Sequence, residues 1–557
     1  MNAFENMKYG LFVHLVAAIT PRVDGSVPET ADEIAKEFDV TAFAESVKRM
    51  GVQYLILTAW HYRMRPLYPS AVTERYRPGN SCSRDLLGEI IDAANERGVS
   101  VILYTHPRDG HDLEGRERID TGWGEGFEEG RPDTPDPAKF DCEKWNGYVL
   151  DLYRELAERY GKKIIGFYTD GVGPVRGRDP VMTKNRLIVD YTAIRDIMKS
   201  ANEDLVMIQN YFGYLFSDDI GMPEAYFRYE RKIGFDPARL PAPSGCIAVC
   251  PFEGGWWPRQ EARGKDARLM KPEDIALYTL FAASSSPAGG VSWASGPYSD
   301  GASWPVGVTQ TMEEAGRLLE TYREYCFDAA PGRAWGALPG DTLSSLGGVF
   351  STASRDKKTE YLFVTGLSGK TVKLSPAADG CLLTDPKVMT GDIAVESFFR
   401  TEDGYELTLS GDIGALPAVI AFRRSEATLE SEWINDTDKR IRYEGSWKYV
   451  HLTEADQSSL GCYDSDMRAA SEKGDRAFIA FEGDRVSVYG CARPEGGRAA
   501  VFIDGVLSGY ADCGGETENR KRLFTSRDLH GGIHTLYLEL ISDAPFMLDA
   551  VRIDRKP

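Results

Sequence analysis

The first 330 or so residues alternate between two hydrophobic patterns. Short, nearly continuous apolar runs read as strands covered on both faces: YGLFVHLV (9–16), VQYLILTAW (52–60), VSVILYTHP (99–107), IIGFYTDG (164–171) and LVMIQNY (205–211). AYFRYE (225–230), GCIAVCP (245–251) and GGVSWASGP (289–297) bring the candidates to eight. Between most of them lie longer stretches that predict helices, near 41–50, 84–98, 143–161 and 185–200 and at IALYTLFAASS (275–285). The second of these, RDLLGEIIDAANERG, ends on Gly98, a natural stop. Eight strands interleaved with helices predict a (β/α)8 TIM-like barrel over residues 1–330, irregular where 211–245 shows no helical pattern. A doubly wound sheet is the competitor, but no G-x-G-x-x-G follows an early strand.

Beyond about residue 330 the pattern shortens to alternating segments divided by Gly, Asp and Ser. EYLFVTGL, KTVKLS, YELTLS and AVIAFRR predict a small β-sandwich over 335–425. The polar stretch SEATLESEWINDTDKR reads as the linker to a second β-sandwich over 430–557. Its clearest strands are RAFIAFEGDRVSVYGC, RAAVFIDGVLSGY and IHTLYLELIS.

Composition narrows the class. A chain of 557 residues with 42% hydrophobic residues buries a sizeable core and is not a disordered polymer. Its net charge of −20 argues against nucleic acid and anionic membranes as partners, since both need basic surface. Nine cysteines, with no C-x-x-C pair, fit small buried hydrophobes in a reducing compartment. The N-terminal apolar run lacks a basic lead-in and contains His14, so it reads as a strand and not a signal peptide. No apolar run is long enough to span a bilayer. The expected location is cytoplasmic, with a secreted protein trimmed of its signal as the alternative. Homo-oligomerisation stays open.

In such a barrel the reactive groups collect at the C-terminal ends of the strands. There the sequence places His14, then His61 and Tyr62, Tyr104 and His106, Asp170, Asn210, Glu230, Glu253 with Trp256, and Trp293. Three of only seven histidines fall at this rim, which points to a site and not to scattered surface residues. Asp170 ends an apolar strand ahead of a Gly, and alternation puts Tyr168 on its side. Neutral imidazoles offer one donor and one acceptor each, suited to sugar hydroxyls. His14, His61, His106 and Asp170 are also a conceivable zinc set, but no H-x-H pair supports it, and neither a metal nor another cofactor is expected.

Several of these segments carry a resemblance. KYGLFVHL (8–15), VQYLILTAWHYRMRPLYPS (52–70), SRDLLGEIIDAANERGVSVILY (83–104), IIGFYTDG (164–171) and ASGPYSDG (294–301) resemble, in order, the motifs of family 29 α-L-fucosidases. The resemblance implies a barrel followed by a β-domain, an exo-acting retaining glycosidase, and a carbohydrate substrate bearing a terminal fucose or related sugar. It assigns the nucleophile to Asp170 and sugar binding to His14 and His61. Tyr62, Tyr104, His106, Tyr168, Asn210, Trp256 and Trp293 would complete the pocket. The acid/base, which retention requires about 5–5.5 Å from the nucleophile, falls to Glu253 or Glu230, with Glu224 as the third choice. Trp256 and Trp257 would raise the pKa of Glu253.

The chain departs from the family pattern at Leu15, Trp60, Tyr62 and Arg63, which puts fucose itself in question and leaves a non-catalytic glycan-binding barrel as the alternative. INDTDKRIRYEGSWKYV (434–450) and the strands after it resemble galactose-binding-like modules appended to glycosidases. Such modules sometimes bind glycans through exposed aromatics, so this one is a candidate carbohydrate-binding module with Trp447 and Tyr449 as contacts; Trp447 reads more readily as core, and His534 as structural.

Overall fold

The structure is a computed structural model. It describes residues 7–61, 65–107, 110, 112–124, 127–128, 131–135, 139–170, 189–210, 220–222, 224–225, 246–249, 269–285, 289–331, 348–365, 371–374, 381–401, 404–425, 430–451, 458–459, 461–527, 529 and 533–555. The chain forms two compact units. The first comprises Met1–Gly234, Cys246–Leu280 and Ala288–Thr321; the second comprises Phe235–Gly245, Phe281–Pro287 and Tyr322–Pro557.

The first unit is built on a curled parallel sheet. Its strands are β1 (Tyr9–Val13), β2 (Tyr54–Thr58), β3 (Ser100–Thr105), β4 (Gly166–Thr169), β5 (Val206–Gln209), β6 (Ile220–Gly221), β7 (Glu224–Ala225), β8 (Cys246–Val249) and β9 (Gly290–Ala294). They lie in the order β6-β5-β4-β3-β2-β1-β9-β8-β7, every pair parallel. Of the expected sixth strand at 225–230 only Ala225 lies among the described residues, and it belongs to β7; a further dipeptide, 220–221, pairs at the opposite edge, and 226–230 lie outside the described residues. Pro223, which has no N–H to donate to a ladder, falls between the two dipeptides in sequence.

Five predicted helices form: Val40–Arg49, Leu86–Glu96, Cys142–Tyr160, Tyr191–Ala201 and Pro272–Ser285. Their starts are chemically marked. Asp39, Asp85, Asp141 and Asp190 each accept backbone N–H groups of the first turn. The pattern missed four others, Ala31–Glu37, Ala71–Tyr76, Gly115–Thr121 and Val308–Glu320.

Strand alternation sends Phe12, Tyr54, Ile56, Ile102, Tyr104, Tyr168, Val206, Ile208, Met222 and Ala294 into one buried cluster on the concave side of the sheet. Gly10 is required there, because a Cβ at this position would lie 2.2 Å from the Tyr54 ring. The Tyr54 hydroxyl crosses to the Ser292 Oγ at 2.7 Å.

The second unit holds antiparallel sheets in two groups. A five-stranded sheet (330–331, 348–353, 359–365, 418–425, 382–390) and a three-stranded one (371–374, 404–412, 392–401) share a core that includes Leu362, Leu374, Leu407 and Phe422. Further along, a six-stranded sheet centred on Arg485–Ala492 and Phe546–Arg555 faces a five-stranded one centred on Arg476–Glu482 and Ile533–Leu540. Val486, Val488, Ile479, Leu536 and Leu538 meet in their common core. Among the described residues, no helix is long and apolar enough to cross a membrane.

Candidate active site

The C-terminal ends of β1 to β5 bring six of the predicted residues to one place. Asp170 follows β4, and its backbone N–H is fixed to the Thr105 carbonyl at 2.8 Å. The strand ends are tied further by Thr105 Oγ1, which donates to the Tyr168 carbonyl at 3.0 Å, and by Thr169 Oγ1, which donates to Ile208 at 3.2 Å. The Asp170 carboxylate is held on both oxygens. The Tyr104 hydroxyl donates to Oδ2, and Asn210 Nδ2 donates to Oδ1 at 2.8 Å. Two donors from two neighbouring strands fix the plane of the carboxylate.

Beside it stands an aromatic wall. The His61 ring stacks on Tyr104 at 5.3 Å and meets His14 edge-on at 5.4 Å and His106 at 5.7 Å. Phe12, two residues before His14 on the same strand face, stacks beneath the His14 ring at 4.7 Å. Burial holds His14 down to about 4, reinforced by His106 and opposed by the Asp170 charge. His14 is therefore a neutral imidazole at ordinary pH. A depressed histidine pKa contributes stability that is present above its unfolded value, near 6.5, and lost as pH falls through 4. Acidification from pH 6.5 to 4 should thus cost the first unit on the order of 3 kcal/mol. Thermal unfolding of wild type against His14→Gln checks this; equal acid lability in the two would refute it.

Two other predicted residues, Trp293 and Tyr168, sit elsewhere. Trp293 does not face the rim. In β9 the interior positions are those of Ser292 and Ala294, so Trp293 turns outward, donates to Thr279 Oγ1 at 3.1 Å and packs near Tyr278. The Tyr168 hydroxyl is spent on the Met222 carbonyl at 3.0 Å, which makes it a spacer inside the sheet. Tyr62, Glu230, Glu253 and Trp256 lie outside the described residues, as does Arg63. So do the side chains of Glu224 and of the strand at 246–249.

Trp60, noted in the sequence only as a departure, has a job at the rim. Its indole donates to the His106 carbonyl at 3.1 Å and packs on Tyr153. It thereby ties the end of β2 to the end of β3. Phe12 was the other residue missed, although its i, i+2 relation to His14 would have found it. Among the described residues, no group of three or more His, Cys, Asp or Glu is placed to hold a metal ion.

In the C-terminal unit the aromatics named earlier are committed to packing. Trp447 sits against the core near Tyr443 and Phe546. The Tyr449 hydroxyl donates to Asp466 at 2.9 Å, and His534 Nδ1 pairs with Asp504 at 2.7 Å.

The C-terminal edge of the parallel sheet thus carries one positioned carboxylate beside imidazole and phenol groups. Residues 30–231 match the family model for α-L-fucosidase, a stretch that contains His61, Tyr104, His106, Asp170 and Asn210. Among solved structures, the α-L-fucosidase of Vibrio sp. strain EJY3 covers 99% of this chain and 97% of its own, with a TM-score of 0.53 and 13% identity. A family 29 α-L-fucosidase of Bacteroides thetaiotaomicron, trapped as a covalent intermediate, covers 76% of this chain and 95% of its own, with a TM-score of 0.52 and 17% identity. α-L-Fucosidase isoenzyme 1 of Paenibacillus thiaminolyticus gives 0.50 at 14% identity, covering 76% of this chain and 98% of its own. At these identities the likeness is one of fold. A comparison with curated proteins finds no match.

Proposed function

We propose that the protein is an exo-acting, retaining glycoside hydrolase that removes a terminal fucose or a related sugar. The observation that carries this reading is the Asp170 carboxylate, fixed by Tyr104 and Asn210 beside three histidines. Asp170 attacks the anomeric carbon, and a glutamate, Glu253 or Glu230, protonates the departing oxygen. Water then releases the sugar with that glutamate as base. His14, neutral and backed by Phe12, offers one donor and one acceptor to sugar hydroxyls, as do His61 and His106 when neutral.

The reading extends to architecture. The two edge dipeptides of the sheet, 220–221 and 224–225, are near neighbours in sequence, which supports closure into an eight-membered (β/α)8 barrel. The two groups of antiparallel sheets are then two β-sandwiches, making three domains, and the last is galactose-binding-like. Trp447 and Tyr449 are committed to internal contacts, so a glycan site on that module would be built from other residues.

An aryl-glycoside panel tests the reading. Wild type should release aryl alcohol from the α-L-fucoside or a close analogue, with the product first appearing as the α-anomer by NMR. Of Glu230→Gln and Glu253→Gln, one should lose activity chiefly on substrates with poor leaving groups. Inertness of wild type on every sugar, with glycan binding intact, would make the chain a binding protein.

Tyr104→Phe and Asn210→Ala each remove one donor to the nucleophile. A hydrogen bond to a charged group is worth about 1.5–3 kcal/mol, so each should lower kcat roughly 10- to 100-fold. KM should stay nearly constant, because these donors face the carboxylate. A change confined to KM would assign them to substrate binding.

A further inference from the structure

We propose that Cys462 and Cys491 form a disulfide within the C-terminal unit. The two sulfurs lie 2.9 Å apart, closer than unbonded sulfurs rest, and both residues are buried in one core. A bond of about 2.05 Å needs only a small approach. The partner choice is defined. A third cysteine in this core, Cys513, is engaged with the backbone of Met547, donating to its carbonyl at 3.6 Å and accepting its N–H at 3.4 Å. The Cys462 thiol shares its proton with Cys491, which lowers the Cys491 thiol below its usual range and raises that of Cys462.

The chemistry balances with a low-molecular-weight disulfide, such as oxidised glutathione, as oxidant. The thiolate of one of the two cysteines attacks one of its sulfurs and expels one thiolate, leaving a mixed disulfide. The other cysteine gives its proton to water and displaces the second thiolate. Two protein thiols are oxidised, and one external disulfide becomes two thiols. Because both sulfurs are covered, exchange takes place as the unit folds or opens.

The bond would join two distinct parts of the unit. Cys462 precedes the turn Tyr463–Ser465, whose first N–H donates to Asp549 Oδ1 at 2.7 Å. Cys491 lies in the central strand Arg485–Ala492. The crosslink clamps that turn to the middle of the sheet and closes a 29-residue loop. It is independent of the reaction at Asp170.

The test uses the full chain, incubated and separately refolded from urea in graded reduced and oxidised glutathione, then denatured, alkylated and digested with trypsin. The expected product joins YVHLTEADQSSLGCYDSDMR to VSVYGCARPEGGR, lighter by two hydrogens, with Cys513 alkylated. The oxidised protein should unfold several degrees above the reduced one. Cys462→Ala/Cys491→Ala should abolish that difference, and Cys513→Ala should keep it. Complete alkylation of all three cysteines in the most oxidising buffer, in both arms, would overturn the proposal, as would a crosslink through Cys513.

Discussion

Asp170→Asn should reduce kcat/KM by at least about three orders of magnitude on the sugar that wild type hydrolyses, since retention has no route without its nucleophile. The fold should survive. The amide is isosteric, keeps one oxygen for a donor, and sits on backbone anchored to Thr105. A smaller replacement makes the test sharper. In Asp170→Gly the space beside Tyr104 and Asn210 admits a small anion, so azide should restore turnover and give a glycosyl azide of inverted configuration. Rescue without inversion, or an Asp170→Asn enzyme within tenfold of wild type, would move the nucleophile elsewhere.

The second large effect lies in the C-terminal unit and has the opposite pH sign from that of His14. Asp436, Asp466 and Asp549 are fully buried. Burial pushes Asp466 up to about 8, with Asp464 adding to the rise, and raises Asp436 and Asp549 as well. Asp436 faces Asp466, Asp549 and the Arg468 guanidinium, whose Nε is 3.7 Å from its Oδ2. Arg468 lies over the rings of Tyr443 and Tyr449. Asn435 and Tyr449 donate to the two oxygens of Asp466. Asp549 faces Cys491, Arg520 and Asp466.

A carboxyl whose folded pKa is raised contributes stability that is full below its unfolded value, near 4, and lost as pH rises through the folded one. The C-terminal unit should therefore weaken between pH 4 and 8, by up to on the order of 5 kcal/mol from Asp466. Urea unfolding monitored across that range should show the decline, and Asp466→Asn should flatten it. A wild-type profile that is level or rises with pH would refute the assignment.

Much of the scaffold was legible because its signals are local. The apolar runs at β1 to β5 can only be strands covered on both faces, and Asp85 and Gly98 bracket a helix whose stripe repeats every three or four residues. The rim residues His14, His61, His106, Asp170 and Asn210 were legible for the same reason, since each lies within a few residues of the end of an apolar run. Trp293 was misplaced for a physical reason. Position along a strand gives the end of the sheet, but phase gives the face, and Trp293 is in phase with outward Val291.

Contact between distant segments stayed hidden. Asp436, Asp466 and Asp549 are far apart in the sequence and become one buried cluster only when their strands pair. Cys462 and Cys491 looked like separate small hydrophobes for the same reason. Tyr104 was placed at the rim as a sugar contact, and its hold on Asp170 comes from the parallel register that sets β3 beside β4.

The most direct measurement is covalent capture. Wild-type protein, or the glutamate variant that slows the second step, is incubated with 2-fluoro-fucosyl fluoride and analysed by intact mass and tryptic mapping. The account predicts one 2-fluoro-fucosyl group per chain, carried by Asp170 in the peptide IIGFYTDGVGPVR (164–176) and absent from Asp170→Asn. An adduct on a different carboxylate, or no adduct under conditions where aryl glycoside is turned over, would contradict it.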